Sequence, residues 1–363
     1  ASDGEVEDYQ VMISPTKPAG NEYLLHETNL TGNSDQIHFT ASGDINNDGL
    51  VDLVSSAGHG GVHNRPINWY ENNGDGTFTE HEIISNGHKI QNIITSDVDG
   101  DGNLDVVAAI EDWNRVVAFF NDGAGNFTEE TVFDVSHPVS VASGDIDGDG
   151  DQDLMSVNHW SGRLWLHTNQ GDRTFSTEAV GMSLSYARAV DMADIDGDGI
   201  LDVITVDQGS SGARRTIFHK NDGDGNFNST VIEPNLGLHL VRLADYDTDG
   251  DIDIISRSFN HHHLYWNENN GSGEFAKQLI LDTSQDWTFE LGDLNGDGAV
   301  EIINATMNDD GTVTTKAISY HPDGIITSDL GHLLYHPTPA DIDNDGDLDI
   351  YGANEDKQLI WLE

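Results

Sequence analysis

The sequence contains no cysteine. Disulfides, thiol nucleophiles and thiolate metal sites are therefore excluded, and the redox compartment cannot be read from the thiols. Cations are scarce as well: 15 lysines and arginines stand against 65 aspartates and glutamates, for a net charge of −50. A surface of that sign repels phosphates and disfavours nucleic acid as a partner. No apolar run approaches the ~18 residues that a membrane-spanning helix requires. G-x-S-x-G, H-E-x-x-H and a glycine-rich phosphate loop before a helix are all missing, so the common nucleophile, zinc-hydrolase and nucleotide signatures are not available. Proline is limited to 8 residues whereas glycine reaches 39, the balance expected of a chain built from many tight turns.

What is present is repetition. DIDGDGDQD, from Asp145 to Asp153, has six relatives: DINNDGLVD from Asp44, DVDGDGNLD from Asp97, DIDGDGILD from Asp194, DYDTDGDID from Asp245, DLNGDGAVE from Asp293 and DIDNDGDLD from Asp341. Each sets oxygen-bearing side chains at positions 1, 3, 5 and 9, with glycine at position 6 for a sharp turn and a backbone carbonyl on offer at position 7. A hard cation such as Ca2+, which takes about 6–8 oxygens at ~2.3–2.6 Å, needs this donor set. The expected ligands are Asp44, Asn46, Asp48, Leu50 and Asp52; Asp97, Asp99, Asp101, Asn103 and Asp105; Asp145, Asp147, Asp149, Asp151 and Asp153; Asp194, Asp196, Asp198, Ile200 and Asp202; Asp245, Asp247, Asp249, Asp251 and Asp253; Asp293, Asn295, Asp297, Ala299 and Glu301; and Asp341, Asp343, Asp345, Asp347 and Asp349. Up to seven Ca2+ ions are expected. The sixth loop departs most, with Asn295 and Glu301 at positions 3 and 9. An EF-hand is disfavoured: β-prone runs such as VVAA and VITV follow the loops, and the bidentate glutamate at position 12 is absent. Positions 1, 3, 5 and 9 of the loops hold 26 of the 65 acidic residues, and seven bound Ca2+ would still leave the chain at −36. Sites of modest affinity fill where Ca2+ is millimolar, so a secreted or cell-surface location is expected.

The first ligand positions recur every 48 to 53 residues, a period that points to a propeller or solenoid. Within each period the order is constant: an alternating run, the acidic loop, a second β-run, a variable connection, a third run such as VVAFFN, a glycine-rich turn ending in Phe in five copies, and a fourth run. Four short strands joined by turns make one propeller blade. The expected fold is all-β, a seven-bladed β-propeller of four-stranded antiparallel blades. The chain ends one strand short, and EYLLHETNL near the N-terminus has fourth-strand character. We therefore expect the last blade to be closed by the N-terminal strand, which removes a ragged edge.

The seven D-x-[DN]-x-D-G-x-x-[DE] loops and the Asn-Gly-x-Gly-x-Phe type turns resemble the FG-GAP or VCBS repeat family, whose propellers include the integrin α-subunit head and several fungal and bacterial lectins. That resemblance covers residues 23–363 and implies a propeller with adhesion or lectin-like roles. Residues 4–11, GEVEDYQV, resemble the end of a GEVED β-sandwich domain. The expected organisation is thus residues 1–20 as the tail of a preceding domain and linker, and 21–363 as the propeller, a monomeric module of a larger polypeptide.

Strand alternation puts the acidic loops and the 3–4 turns on one face and the 2–3 and 4–1 connections on the other. The second face is the variable one, where a rigid scaffold usually carries function. Nine of the 15 basic residues fall in its segments. Histidine, aromatic and arginine side chains together suit a glycan, whose C–H faces pack on rings while its hydroxyls take hydrogen bonds. The ligand candidates are His59, His63, Trp113, Arg115, His159, Trp160, Arg188, Arg257 and Trp287. Trp69, Trp165, Trp266 and Trp361, in third strands, read as packing residues. The leading expectation is a non-enzymatic module that binds a glycan or surface ligand. The alternative is a polysaccharide lyase acting on an acidic glycan, with its catalytic parts drawn from Tyr186, Arg188, His239, Arg242, Tyr335 and His336.

Overall fold

A computed structural model describes residues 25–26 and 37–362, except 58–65, 86–87, 161, 209–213, 224, 235–237, 259–262, 283–285, 308–312, 323, 331–333 and 355–358. The described residues form seven antiparallel sheets of four strands each. Strands follow one another in chain order within a sheet. Blade 2 is representative: Ile90–Ser96, Asp105–Ile110, Arg115–Asn121 and Phe127–Asp134. Blade 1 opens at Ile37–Gly43, and blades 3 to 6 open at Pro138–Gly144, Ala187–Ala193, Leu238–Ala244 and Asp286–Gly292. Blade 7 comprises Tyr335–Ala340, Asp349–Ala353 and Leu359–Leu362, with Leu25–His26 paired antiparallel to the last of these. The rest of EYLLHETNL, and the GEVED-like stretch, lie outside the described residues.

First strands touch the first strands of the adjoining blades all the way around, including blade 7 against blade 1. The units therefore circle an axis and do not stack in a line. At the blade 7–blade 1 seam, Thr40 Oγ1 and Thr338 Oγ1 lie 2.5 Å apart, and the Tyr351 hydroxyl donates to the Ala41 carbonyl at 2.8 Å.

The burial pattern follows from position in the blade. Second strands are covered on both faces by neighbouring blades, so DVVAAI, DLMSVN and DVITVD are buried at every residue. That explains why these runs lack the alternation of a half-exposed strand. Fourth strands form the outer rim and are largely exposed, as in FTEETVFD. The core is a set of layers between blades. One layer joins Ile45, Val54 and Trp69 of blade 1 to Val106, Val117 and Phe119 of blade 2. The turn phenylalanines Phe78, Phe127, Phe175, Phe227 and Phe275 pack against such layers. Trp69, Trp266 and Trp361 are buried, and Trp165 packs 5.1 Å from the Phe133 ring.

Candidate metal centres and ligand face

Each acidic loop links the first strand to the second, whose opening residue is position 9. The loop winds its backbone N–H groups onto its own carboxylates. In loop 1, Asp44 accepts from Asp48 N at 3.0 Å and Gly49 N at 2.9 Å. The position-6 glycines have φ between 89° and 99° in all seven loops, a conformation that strongly favours a residue without Cβ. Carboxylate oxygens converge to within 4.8 Å of one another in five loops: Asp97, Asp99 and Asp101; Asp145, Asp147 and Asp153; Asp194, Asp196 and Asp202; Asp245, Asp247 and Asp253; and Asp341, Asp343 and Asp349. Burial, and next the neighbouring negative charge, pushes position 9 up to about 6 at Asp52, Asp153 and Asp202, and to about 7 at Asp105, Asp253 and Asp349, against backbone hydrogen bonds that lower each. In loop 4, Asp196 Oδ1 is buried without a hydrogen-bond partner. Crowded oxygens, elevated pKa values and an orphaned acceptor fit a hard cation, so these clusters could hold metal ions. Loops 1 and 6 differ because position 3 is asparagine. Asn46 Nδ2 donates to Asp48 at 3.1 Å, and Asn295 Nδ2 donates to Glu301 at 3.0 Å. An amide N–H thus takes up part of the negative charge there.

On the opposite face, the 2–3 connections knit to the entry of the same blade's first strand: Glu111 N donates to Lys89 O at 2.8 Å, His159 N to His137 O at 2.9 Å and Gln208 N to Tyr186 O at 3.2 Å. This brings several predicted residues together on blades 2 to 4. Trp160 is 59 % exposed. His137, His159 and Tyr186 ring it at centroid distances of 5.8, 5.2 and 5.7 Å. His159 also meets Tyr186 edge-on at 5.3 Å. Arg188 is aimed by a bulge: Ala187 pairs with Asp207 and Ala189 with Val206, so Arg188 is the extra residue. Gln208, with its amide oxygen turned toward the guanidinium, accepts from Nε at 3.1 Å and Nη2 at 3.2 Å. No carboxylate among the described residues forms an ion pair with Arg188; Glu111 acts on it only through space. His159 is held below the usual histidine range by burial first and Arg188 second, so its imidazole is neutral at pH 7. Glu111 itself is taken up by Lys89 at 2.5 Å and by Gln91. Trp113 packs on His88 with centroids 3.8 Å apart.

Other predicted residues lie elsewhere. Arg115 pairs with Asp134 at 2.9 Å on its own blade. Arg257 is only 5 % exposed, inside the second strand of blade 5. Arg242 is clamped to Glu290 of the next first strand at 2.6 and 2.5 Å, with Asp191 close by. His336 is half-buried with its ring 6.4 Å from Phe39. His59 and His63, and the side chains of His239, Trp287 and Tyr335, lie outside the described residues. Of the lyase set, the structure brings Tyr186 and Arg188 together, and adds His159.

The FG-GAP-like repeat profile matches residues 44–108, 97–156, 145–205 and 245–303, together more than half of the chain. The protein belongs to the FG-GAP-like repeat family. Among solved structures, an Agrocybe aegerita lectin that recognises non-reducing terminal N-acetylglucosamine is 20 % identical over 81 % of this chain and 80 % of its own, with a TM-score of 0.57. A chain of a nidogen/laminin complex is 10 % identical over 76 % of this chain and 91 % of its own, with a TM-score of 0.49. Comparison with curated protein sequences gave no match. Among the described residues, no helix is long and apolar enough to cross a membrane.

One feature of this FG-GAP-like propeller escaped the reading of the sequence. The asparagine closing the third strand is the staple between blades. Its Nδ2 donates to the position-2 carbonyl of the preceding blade's acidic loop: Asn72 to Ile342 at 2.6 Å, Asn121 to Ile45 at 2.6 Å, Asn169 to Val98 at 2.8 Å, Asn221 to Ile146 at 2.9 Å and Asn269 to Ile195 at 2.6 Å. Its backbone N–H donates to the position-9 aspartate of its own blade, for example Asn169 to Asp153 at 2.7 Å. The other oxygen of that aspartate accepts from the position-2 N–H, as Ile146 to Asp153 at 3.0 Å. Acidic loops are thus chained rim-wise from blade 7 through blades 1, 2, 3 and 4 to blade 5. At the blade 5–blade 6 seam the asparagine position is Tyr320, whose ring packs 5.3 Å from Trp266 and 6.1 Å from Tyr246. The available signal was the Asn that ends INWYEN, VVAFFN, RLWLHTN, TIFHKN and LYWNEN.

Proposed function

We propose that this propeller is a Ca2+-stabilised extracellular module that binds a glycan through the variable face of blades 2 to 4. The observation that carries the reading is Trp160, an exposed indole framed by His137, His159 and Tyr186. A sugar ring packs its C–H face on such a platform while histidine, tyrosine and glutamine groups take its hydroxyls. Arg188, half-buried and without a carboxylate partner among the described residues, suits a sugar that carries an acidic group. The shared fold with a glycan-binding lectin supports the same reading. The acidic loops offer only oxygen donors, which suits Ca2+ rather than a transition metal, and millimolar extracellular Ca2+ would fill such loops. The test is a glycan array followed by calorimetry on wild type and Trp160→Ala. Binding that Trp160→Ala abolishes is expected; a ligand that binds both proteins equally would place recognition elsewhere.

A second reading is favoured by the convergence of His159, Tyr186 and Arg188. In a polysaccharide lyase, Arg188 would neutralise a uronate carboxylate and acidify the adjacent C–H. Neutral His159 would remove that proton, and Tyr186 would protonate the leaving glycosidic oxygen as the C=C bond forms. Incubation with alginate, pectin, ulvan and glucuronan separates the two readings. Absorbance rising near ~235 nm, from the unsaturated product of β-elimination, would replace binding by cleavage; a flat trace with retained binding supports the module.

A further inference from the structure

The seven acidic loops are not equivalent, and one side-chain position distinguishes them. In blades 1 to 6 the third strand places one residue at an equivalent point beside the acidic loop. Pairing Leu53 with Tyr70, Val106 with Phe119, Leu154 with His167, Val203 with His219, Ile254 with Asn267 and Ile302 with Ile318 aligns the next residues, Glu71, Phe120, Thr168, Lys220, Glu268 and Ser319. Four of these act on their own loop. Glu71 approaches Asn46 Nδ2 at 3.3 Å. Glu268 is among the charges that raise Asp247, after burial and Asp249. Ser319 donates to Glu301 at 3.2 Å. In blade 4 this residue is the cation Lys220. Its ammonium contacts Asp196 Oδ2 directly and lies 3.1 Å from Asp198 Oδ2, so it bridges positions 3 and 5 of the metal-ligand set.

We propose that Lys220 is the resident cation of loop 4, and that the charge at this third-strand position ranks loops 1 to 6 for Ca2+. The inference rests on the Ca2+ reading given above. Loop 4 presents four aspartates at positions 1, 3, 5 and 9, and the ammonium offsets one of their charges before any ion arrives. A Ca2+ ion at loop 4 must either displace the ammonium from two of its ligands or share the cluster with a like charge only a few ångströms away, which is unfavourable at either dielectric extreme. Blades 1 and 5 are built the opposite way, with Glu71 and Glu268 adding negative charge beside the loop. Blade 2 has a milder version of blade 4. Arg173, from the next blade's turn, reaches Asp99 at 2.8 and 2.7 Å, but through Oδ2 alone and without touching Asp101. The ammonium also lowers the repulsion in a metal-free loop 4, so this hairpin should lose less on Ca2+ removal than it would without Lys220.

Calorimetric titration of chelator-treated protein, paired with native mass spectrometry to count bound ions, tests the proposal. Wild type should show one site at least about tenfold weaker than the strong class. Lys220→Gln should move one ion into the strong class, and Thr168→Lys in blade 3 should move one out. The same Lys220→Gln protein should melt lower than wild type in chelator and not in saturating Ca2+. No ion binding by wild type would overturn the Ca2+ reading itself. Binding by wild type that neither substitution alters would overturn the role of Lys220 and leave the Ca2+ reading standing.

Discussion

Replacing Asn169 with alanine tests whether the rim-wise chain of acidic loops holds the ring together. Asn169 is 3 % exposed. Its amide donates to Val98 O of blade 2 at 2.8 Å and to Gln152 O at 3.1 Å, and accepts from Gly171 N at 3.0 Å. A net hydrogen bond is worth about 1 kcal/mol, and a buried carbonyl left without its donor costs about 1–3 kcal/mol. The expected loss is therefore about 3–4 kcal/mol, measured by urea denaturation in saturating Ca2+. A loss of that size is a large share of the total stability of an ordinary domain. The chain of contacts adds a sharper expectation. Val98 is position 2 of loop 2, so Asn169→Ala should weaken the ion site of blade 2 while the residue itself belongs to blade 3. Pairing the substitution with Asp101→Ala, which removes a carboxylate from the loop 2 cluster, locates the effect: the double variant should show no further loss of ion binding beyond Asp101→Ala alone. A stability change under about 0.5 kcal/mol, the range of an ordinary surface substitution, would refute the staple, and additive losses of ions would refute the coupling.

Chelation should be the largest perturbation of all. Chelator is expected to lower the melting temperature by well over ten degrees, because ions bound only to the folded state stabilise by linkage and their loss leaves clustered carboxylates repelling one another; an unchanged melt in EDTA would contradict the Ca2+ assignment. Acid should destabilise the Ca2+-loaded protein through two buried histidines. His167 bonds Ser156 and Thr177, His219 bonds Thr205 and Ser229, and burial drives both down to about 3. A depressed histidine contributes stability above its unfolded pKa of about 6.5 that is lost as pH falls toward the folded value, at about 1.4 kcal/mol per pH unit for each. His167→Gln should therefore flatten the stability-pH curve between pH 6 and 4, and an unaltered slope would show that the acid response lies elsewhere.

Much of the architecture was legible because it is written as a repeat. Seven loops with fixed offsets give the blade count, and the β-prone runs on either side give four strands per blade. The second strands illustrate the limit of local pattern: DVVAAI shows no alternation, and its burial on both faces is set by the blades that cover it. The carboxylate clusters were readable because the spacing of oxygen donors within a nine-residue loop is a local property. The staple asparagines were not, although their recurrence was visible, because the carbonyl each one meets is 71 to 76 residues earlier, or 270 later at the closing seam.

The ligand face divides the same way. Composition picked out Trp160, His159 and Arg188 as chemically apt, but not that they share one patch while Arg257 is buried and Arg242 is held by Glu290. The inequality of the loops is a further case, because Lys220 lies 22 and 24 residues from the carboxylates it contacts. The amino-acid sequence alone determined the repeat, the turns and the oxygen donors, since each depends on residues within a few positions of one another. Only the tertiary structure decided which donors keep a competing cation and which variable-loop side chains converge, because those outcomes depend on strand pairing and blade packing that bring distant residues into contact.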